Sequence, residues 1–196
     1  MKLIEKALRT AFSCHNKQKR KGNGAPYIVH ILDVAGLLLS EPLVSENVII
    51  AGILHDTLED TSYTAEQLKD DFGSDILELV LSATEPDKDS TTSKEQKRLT
   101  WKQRKQHTLD ICQTATNDQL LVSLADKLSN LKSIKDDLII MGDAIWSYFN
   151  APKTDIYWYF KEFGNITGQR IGNTRLFVLY DKLLKEVFPN KVGKNA

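Results

Sequence analysis

The hydrophobic residues of this chain recur with the 3.6-residue period of the α-helix almost from end to end. Residues 2–15 carry the first such apolar stripe, made of Leu3, Ile4, Ala7, Leu8, Ala11 and Phe12. No segment alternates between apolar and polar residues for a useful length, and no internal repeat or low-complexity tract interrupts the pattern. The periodicity therefore predicts an all-α helical bundle with no significant sheet.

The length and charge of the chain indicate a single globular domain and limit the kinds of partner it can bind. It has 196 residues, which is enough to bury a hydrophobic core in one domain without disulfide bonds. Lys and Arg together number 26, as do Asp and Glu, so the formal net charge is zero. This balance excludes a uniformly basic nucleic-acid-binding surface, and we expect no nucleic-acid partner. We expect residues 1–196 to form a single domain, with the helices after about residue 140 packed on the rest.

The cysteines and the apolar runs indicate the compartment. Cys14 and Cys112 are the two cysteines, too few and too far apart for a disulfide framework or a paired-cysteine zinc site. The longest apolar run, residues 48–54, is too short to span a bilayer. Glu5 interrupts the N-terminus before a signal-peptide core begins. These features predict a cytoplasmic protein without a membrane segment.

Breaks in the periodicity divide the chain into elements. Polar or Gly-rich stretches predict loops at 17–25 and 85–93. Thr64 has the position of an N-cap, with Glu66 and Gln67 in the first turns of its helix. The other predicted helices cover 2–15, 27–40, 48–61, 75–83, 94–116 and 119–134, and more follow after residue 140.

Candidate functional residues cluster at the end of the predicted apolar helix 48–61, where four ionisable side chains follow one another closely. If the helix is continuous, His55 shares a face with Glu59, and Asp56 shares one with Glu59 and Asp60. Burying one imidazole and three carboxylates at the end of an apolar helix is costly unless a partner compensates. A divalent metal ion is such a partner.

Two other apolar helices supply further candidate ligands. His30 begins the helix 27–40, and Asp126 lies inside the helix 119–134 with Asn130 one turn further on. Two imidazoles and two carboxylates suit Mn²⁺, Fe²⁺, Co²⁺ or Zn²⁺. Taken singly, each residue has an ordinary alternative role, as a buried structural histidine or a hydrogen-bonding aspartate. Their joint occurrence in three apolar helices favours a metal site.

Three segments that hold these residues resemble a known family. Residues 11–30 (AFSCHNKQKRKGNGAPYIVH), 51–61 (AGILHDTLEDT) and 124–131 (LADKLSNL) are similar to the signature segments of HD-domain hydrolases of RelA/SpoT type. These enzymes are (p)ppGpp 3′-pyrophosphohydrolases and include small stand-alone members. The resemblance extends over about residues 1–165 and implies an HD-domain helical bundle with one metal site in its core.

The resemblance also implies roles at the site. One Mn²⁺ would be bound by His30, His55, Asp56 and Asp126. The catalytic pair that activates and orients water would be Glu59 and Asp60. The nucleotide would be contacted by Arg20, Lys21, Tyr27, Asn130 and Ser133. Hydrolysis would release pyrophosphate from the ribose 3′-oxygen and leave GDP or GTP. His15 recurs in the same pattern, and we assign it a structural role.

Some positions depart from the family pattern and leave the nucleotide open. Ile31 follows His30 where the family usually has proline, Ser123 stands where a lysine is common, and Ser129 replaces a frequent histidine or tyrosine. A basic stretch at 94–105 is either a solvated helix face or an electrostatic funnel for a polyphosphate. Within it, Arg104 and Lys105 are the candidates for substrate contact.

Other functions remain open on the sequence. An HD phosphohydrolase with the same metal chemistry acts equally well in principle on pppApp, on the 2′-phosphate of NADPH or on a nucleoside monophosphate. A non-enzymatic metal- or nucleotide-binding module is a further alternative, and the Glu59–Asp60 pair argues against it because such a module needs no acid to activate water. Either a monomer or a homodimer is compatible with the sequence.

Overall fold

The computed structural model describes residues 1–20, 22–84 and 93–189, apart from the side chain of Lys94. Its elements are α1 (Lys2–Cys14), α2 (Ile28–Leu39), α3 (Glu46–Leu54), α4 (Thr57–Asp60), α5 (Ala65–Phe72), α6 (Ser74–Ala83), α7 (Lys94–Leu99), α8 (Trp101–Thr114), α9 (Asn117–Met141), a 3₁₀ helix (Gly142–Tyr148), α10 (Lys153–Ile171) and α11 (Arg175–Val187). Within these ranges the only β-type pairing is an isolated bridge between Lys19 and Pro26. The prediction of an all-α fold is confirmed.

The bundle is organised around the long helix α9. Helices α2, α3, α6, α10 and α11 all pack against it, and α1, α2 and α6 surround α3. Every residue of α3 from Val48 to Leu54 is buried. Gly52 permits the close packing of α2 on α3, because a Cβ there would lie 2.2 Å from Leu38 Cδ1. Core packing therefore fixes the relative positions of α2, α3 and α9, the helices that carry or adjoin the predicted metal ligands.

Side-chain caps explain where several helices begin. Thr64 accepts a hydrogen bond from the Gln67 amide, and the Gln67 side chain accepts one from the Thr64 amide, so the predicted N-cap is confirmed as a capping box. Thr116 and Gln119 form the same box at the start of α9. The buried Glu41 carboxylate accepts hydrogen bonds from the amides of Arg175 and Leu176 and so caps α11 across the fold.

The predicted continuous helix 48–61 is wrong, because the chain breaks into α3 and α4 at His55 and Asp56. The Thr57 hydroxyl donates to the Leu54 carbonyl at 2.6 Å, and the His55 ring Nδ1 lies 2.8 Å from the Gly52 carbonyl. At the end of α3, side chains thereby donate hydrogen bonds to carbonyls that backbone amides would bond in a continuous helix. Successive residues of a regular helix point about 100° apart. The break lets His55 and Asp56 aim at the same point.

The predicted helix 94–116 is also divided, into α7 and α8 at Thr100. The Thr100 hydroxyl donates to the Gln96 carbonyl and accepts from Arg104 Nε, which matches the tendency of threonine to compete for backbone groups. Helix α9 extends beyond its predicted limits to 117–141. Of the predicted loop 85–93, residues 85–92 lie outside the described ranges.

Among the described helices, none combines the length and the apolar character that crossing a membrane requires.

Candidate active site

Three separate parts of the fold bring the four predicted metal ligands together. His30 comes from α2, His55 and Asp56 from the break between α3 and α4, and Asp126 from α9. The two imidazole Nε2 atoms are 3.3 Å apart. Asp56 Oδ2 lies 2.8 Å from His55 Nε2 and 3.7 Å from His30 Nε2, while Asp126 Oδ1 lies 3.3 Å from His30 Nε2 and 3.7 Å from His55 Nε2. Four ligand atoms therefore converge on one point.

Hydrogen bonds on the far side of each ring orient the histidines. His55 Nδ1 donates to the Gly52 carbonyl, which has no proton to give, so Nε2 presents its lone pair to the centre when the ring is neutral. His30 Nδ1 lies 2.9 Å from the Ser129 hydroxyl oxygen, which accepts from it in the same tautomer. Outer hydrogen bonds of this kind fix the ring orientation of metal-binding histidines.

The carboxylates of the cluster are held in the ionised form. Burial opposes ionisation of Asp126, but the Lys127 ammonium at 2.5 Å and the two imidazoles outweigh it and hold the pKa of Asp126 well below its usual value. Burial likewise acts against Asp56, and the charge and hydrogen bond of His55 lower its pKa nonetheless. Both carboxylates are therefore ready to bind a cation at neutral pH.

The two histidines respond differently to the same surroundings. Burial dominates at His30 and lowers its pKa. Burial also opposes the charged form of His55, but Asp56 and Asp126 outweigh it and raise the pKa of His55 well above its ordinary value. A proton thus sits among these groups in the absence of a cation, and metal binding must displace it.

This donor set fits a divalent metal ion. The side chains of His30, His55 and Asp56 offer ligand atoms that all lie within 4.8 Å of one another, and Asp126 approaches both imidazoles. Ligands about 2.0–2.2 Å from one ion lie roughly 3 Å from their neighbours, close to the separations found here. Two nitrogen and two oxygen ligands suit the transition metals from Mn²⁺ to Zn²⁺. The residues present therefore fit such an ion.

The predicted catalytic acids lie beside this centre on the short helix α4. Glu59 and Asp60 both line the same cavity as Asp56 and Asp126. Gln18 Nε2 donates to Asp60 Oδ2 at 2.8 Å, and Gln18 Oε1 lies 2.6 Å from His15 Nδ1. The chain His15–Gln18–Asp60 therefore orients one of the two acids. This contact supports the structural role expected for His15.

Tyr27 links the loop before α2 to the metal cluster. Its hydroxyl donates to Asp56 Oδ2 at 2.5 Å, and its ring stacks on His15 with centroids 5.0 Å apart. Burial and the charges of Asp56 and Asp60 raise the pKa of Tyr27 well above its usual value. The phenol consequently stays protonated and remains a donor to Asp56 at neutral pH.

A cavity of about 530 Å³ opens above the cluster. Its lining includes ten of the predicted site residues, namely Arg20, Tyr27, Asp56, Glu59, Asp60, Arg104, Lys105, Asp126, Asn130 and Ser133. His30 and His55 lie beneath it and are buried. Lys21, predicted to contact the nucleotide, lies outside the described residues. The volume is typical of a small-molecule site.

Two groups of cavity-lining residues include the predicted substrate contacts. In the first, Arg20 Nη2 donates to Asn130 Oδ1 at 2.9 Å and to Ser133 Oγ at 3.3 Å. In the second, on α8, Arg104 Nη2 donates to the Lys97 carbonyl, and Lys105 Nζ lies 5.2 Å from the centre of the Tyr159 ring. Cations from two separate segments therefore line the cavity that borders the His/Asp cluster, as a polyanionic substrate requires.

The sequence analysis gave no site role to three residues that have evident contacts there. Gln18 orients Asp60, Lys127 neutralises Asp126, and Ser129 fixes the His30 ring. Ser129 and Lys127 adjoin predicted residues on α9, so a helical projection of the segment would have placed Ser129 one turn from Asp126. Gln18 had no such signal, because it reaches an acid 42 positions away.

Comparison with known sequences places this site in a family. The HD domain model matches residues 7–151 of the chain. A protein of Aquifex aeolicus named guanosine-3′,5′-bis(diphosphate) 3′-pyrophosphohydrolase is 38% identical over 132 residues, which are 67% of this chain and 18% of that protein. The chain thus spans less than a fifth of that relative. The MESH1 enzyme of Xenopus tropicalis, which has the same activity in its name, is 38% identical over 136 residues, 68% of this chain and 70% of the enzyme.

Solved structures agree with this placement. The structure of lmo0812 from Listeria monocytogenes is 33% identical and superposes with a TM-score of 0.69, covering 81% of this chain and 98% of that one. A metazoan SpoT orthologue, described as hydrolysing ppGpp, shares the fold with a TM-score of 0.72 at 24% identity, over 94% of each chain. The His/Asp cluster, the helical bundle around it and the match over most of the sequence lead to one conclusion: this chain belongs to the HD domain family.

Proposed function

We propose that this chain is a metal-dependent hydrolase that removes the 3′-pyrophosphate of (p)ppGpp and yields GDP or GTP and pyrophosphate. The observation that carries the proposal is the position of the His/Asp cluster at the base of a cavity whose walls hold the carboxylates of Glu59 and Asp60 and several cations. The names of the Aquifex and Xenopus relatives support the same reaction.

The cluster of His30, His55, Asp56 and Asp126 would hold one divalent metal, for which we propose Mn²⁺, with Fe²⁺, Co²⁺ and Zn²⁺ as alternatives. An HD domain implies such an ion, and the donor set on three helices fits it. When bound, the ion supplies an acidified water and positive charge next to the scissile phosphate. Tyr27, Ser129 and Lys127 keep the ligands in place for it.

Glu59 and Asp60 supply the general base in this proposal. One of the two carboxylates accepts a proton from a water molecule. The oxygen of that water bonds to the phosphorus attached to the ribose 3′-oxygen. The bond between that phosphorus and the 3′-oxygen breaks, and the 3′-oxygen leaves with a proton. Gln18 fixes the Asp60 carboxylate, so the acid does not rotate away from the cavity.

The cationic walls bind the remaining phosphates and the nucleoside. Arg104 and Lys105 face the cavity from α8 and suit the 5′-phosphates, since Arg and Lys form charge-assisted hydrogen bonds with phosphate oxygens. Arg20, from the loop before α2, also lines the cavity, and we propose that it contacts the nucleotide together with Lys21, its neighbour in the sequence. Asn130, Ser133 and Tyr27 offer neutral hydrogen-bonding groups for the sugar and the base.

The setting that we propose for this activity follows from the same observations. The partner is a small nucleotide rather than a nucleic acid, because the cationic groups line a cavity of about 530 Å³ and the net charge is zero. Both cysteines are free thiols, which fits the cytoplasm. Residues 1–196 would act as one domain, as a monomer or a homodimer, with α10 and α11 packed on α8 and α9.

Turnover of ppGpp by the purified protein with Mn²⁺ tests the proposal. We expect equal amounts of GDP and pyrophosphate, and loss of both in His55→Ala and Glu59→Ala. Glu66→Ala, which changes an exposed acid in the first turn of α5, is the matched control and should retain activity. Mn²⁺ binding should be lost in His55→Ala and kept in Glu59→Ala, because Glu59 is not among the ligands.

Other outcomes would point to the alternative functions. If the wild-type protein bound Mn²⁺ but left ppGpp intact, turnover of pppApp, NADPH and nucleoside monophosphates would show whether another substrate replaces it. Inactivity towards all of these, with nucleotide binding retained, would indicate a non-enzymatic binding module. Glu59→Ala would then leave every measured property unchanged.

A further inference from the structure

Asp137 is a buried carboxylate at the far end of the cavity from the metal cluster. It lines the cavity with Ile134 and Ile145, and only 4% of its surface is exposed. No described residue donates a hydrogen bond to it or lies within ion-pair distance of it. Burial raises the pKa of Asp137, and the charge of Arg20 only partly offsets this. Because no described residue donates to the Asp137 carboxylate and it lines the cavity, a ligand that enters the cavity can supply the donor.

The position of Asp137 on α9 shows which part of a ligand it meets. Asp126, Asn130, Ser133 and Asp137 follow one another at spacings of three or four residues, so they share one face of the helix. Asp126 and Asp137 are separated by about 16 Å along the helix axis. A nucleotide whose 3′-phosphates lie at the metal cluster therefore passes its ribose along Asn130 and Ser133 and presents its base to Asp137.

The surroundings of Asp137 fit the edge of a purine. A Cβ at Gly22 would lie 2.9 Å from Asp137 Oδ2 and 3.4 Å from Ile145 Cδ1, so the carboxylate, the isoleucine and the glycine backbone meet at one point. Gly22 has a φ of +87°, a conformation that glycine adopts readily, and its lack of a side chain lets its backbone pack beside Asp137 Oδ2. Ile134 and Ile145 offer apolar contact to the faces of a base.

We propose that Asp137 recognises the Watson–Crick edge of guanine and makes the site selective for guanine over adenine nucleotides. An ionised carboxylate only accepts hydrogen bonds, and it has two oxygens to do so. Guanine offers two adjacent donors, N1–H and the 2-amino group, whereas adenine offers one amino donor beside the acceptor N1. The inference rests on the proposed hydrolysis of a 3′-pyrophosphorylated nucleotide and names the base that the enzyme selects.

Asp137→Asn tests this selectivity, because an amide exchanges one acceptor for a donor and matches adenine instead of guanine. Binding of GDP, IDP and ADP is measured by calorimetry in the presence of Mn²⁺. We expect the wild-type protein to bind GDP about 10- to 100-fold more tightly than ADP, the range expected for hydrogen bonds to a charged group. IDP, which lacks only the 2-amino group, should fall between them. In Asp137→Asn the order of GDP and ADP should reverse.

Asp136→Asn and Asp137→Leu complete the design. Asp136 is the exposed neighbour on α9, and its replacement removes the same charge, so the ratio of GDP to ADP affinity should stay at the wild-type value. Asp137→Leu should abolish the preference without reversing it. If Asp137 only held the loop that carries Arg20, its replacement would weaken GDP and ADP binding equally, and the proposal would be overturned.

Hydrolysis of ppGpp and ppApp by the same proteins separates this proposal from the proposed reaction. Guanine preference in binding that Asp137→Asn reverses, with no hydrolysis of either compound, would support base recognition and overturn the reaction. Hydrolysis of both compounds with equal kcat/KM in the wild-type protein and in Asp137→Asn would support the reaction and overturn base recognition. A protein that neither binds nor hydrolyses any of these nucleotides would overturn both.

Discussion

Asp126 and Asp137 lie on the same face of α9 in the same cavity, yet their surroundings are opposite. Asp126 is surrounded by positive and hydrogen-bonding groups: Lys127 at 2.5 Å, two imidazoles, and the Asn130 amide, which donates to it at 2.6 Å. Its pKa is held well below the usual value. Asp137 has no such donor among the described residues, and burial raises its pKa.

The difference shows that the two ends of the cavity are prepared in different ways. At the end of the cavity with the His/Asp cluster, the metal end, the carboxylates of Asp56, Asp60 and Asp126 have partners before any ligand arrives, which gives a fixed arrangement for an ion and a water molecule. At the far end, one acceptor is left for the ligand to satisfy, which gives selectivity at a cost in stability. The same substitution, aspartate to asparagine, should therefore have opposite effects at the two ends.

Asp126→Asn should cause the largest effect. We expect activity to fall by at least about 1,000-fold, because a ligand of the ion that activates water is lost. We also expect the free energy of unfolding to fall by about 3 kcal/mol, since the Lys127 ammonium stays buried without its counter-charge. Calorimetric Mn²⁺ binding and urea unfolding of the metal-free protein measure the two effects.

Asp110→Asn on α8 is the control for Asp126→Asn. This exposed aspartate accepts a hydrogen bond from Gln106, and its replacement should change stability by no more than about 0.5 kcal/mol. If Asp126→Asn bound Mn²⁺ as tightly as the wild-type protein, the view of a preassembled metal end would be wrong.

Gln18→Leu should reduce kcat about fivefold to tenfold, the kinetic equivalent of one lost hydrogen bond of about 1 kcal/mol. Asp60 loses the amide that orients it, while the metal ligands are untouched, so KM and Mn²⁺ affinity should stay near their wild-type values. Steady-state kinetics separate the two parameters. Gln67→Leu is the matched control, because this glutamine serves the α5 capping box and should affect stability but not kcat.

Arg104→Ala and Lys105→Ala should raise KM about threefold to tenfold and change kcat little, because they face the cavity from α8 without contacting the metal cluster. The increase should shrink at high salt, where exposed charges are screened. Lys102→Ala, on the same helix and over the Trp158 ring, is the control. A fall in kcat with unchanged KM would assign the two cations to the chemistry instead of to binding.

Much of the metal end could be predicted from the sequence. His30, His55, Asp56 and Asp126 are ionisable residues in apolar helices, and such residues are rare enough to indicate a shared purpose. Helical periodicity also predicted the all-α fold and most of its helices, and Thr64 was correctly predicted as an N-cap. The break at His55 and Asp56 could not be predicted, because it depends on the Thr57 hydroxyl and on side chains that converge from other helices.

The far end of the cavity gave no comparable signal. In the sequence, Lys135, Asp136 and Asp137 form a short run of charges, and such runs are usually solvated. Only the packing of α9 against the 3₁₀ helix and the loop around Gly22 shows that one of the three is buried. Gln18 is similar, because its function depends on a contact between distant segments. Local patterns therefore predict ligands better than they predict the residues that select a substrate.

Asp137→Asn should have a smaller effect on stability than Asp126→Asn, and one of the opposite sign. A carboxyl whose pKa is higher in the folded than in the unfolded protein destabilises the fold once the pH exceeds the unfolded value of about 3.9, and the cost reaches its full size above the folded pKa. Removing the charge should therefore raise the free energy of unfolding by about 0.5–1 kcal/mol at pH 7, the lower end for an unsatisfied buried group because Asp137 borders a cavity. Urea unfolding at pH 7 and pH 4 measures the gain, which should shrink as the pH falls. A gain that persisted unchanged at pH 4 would come from packing, and the contrast between the two aspartates would then not be one of charge.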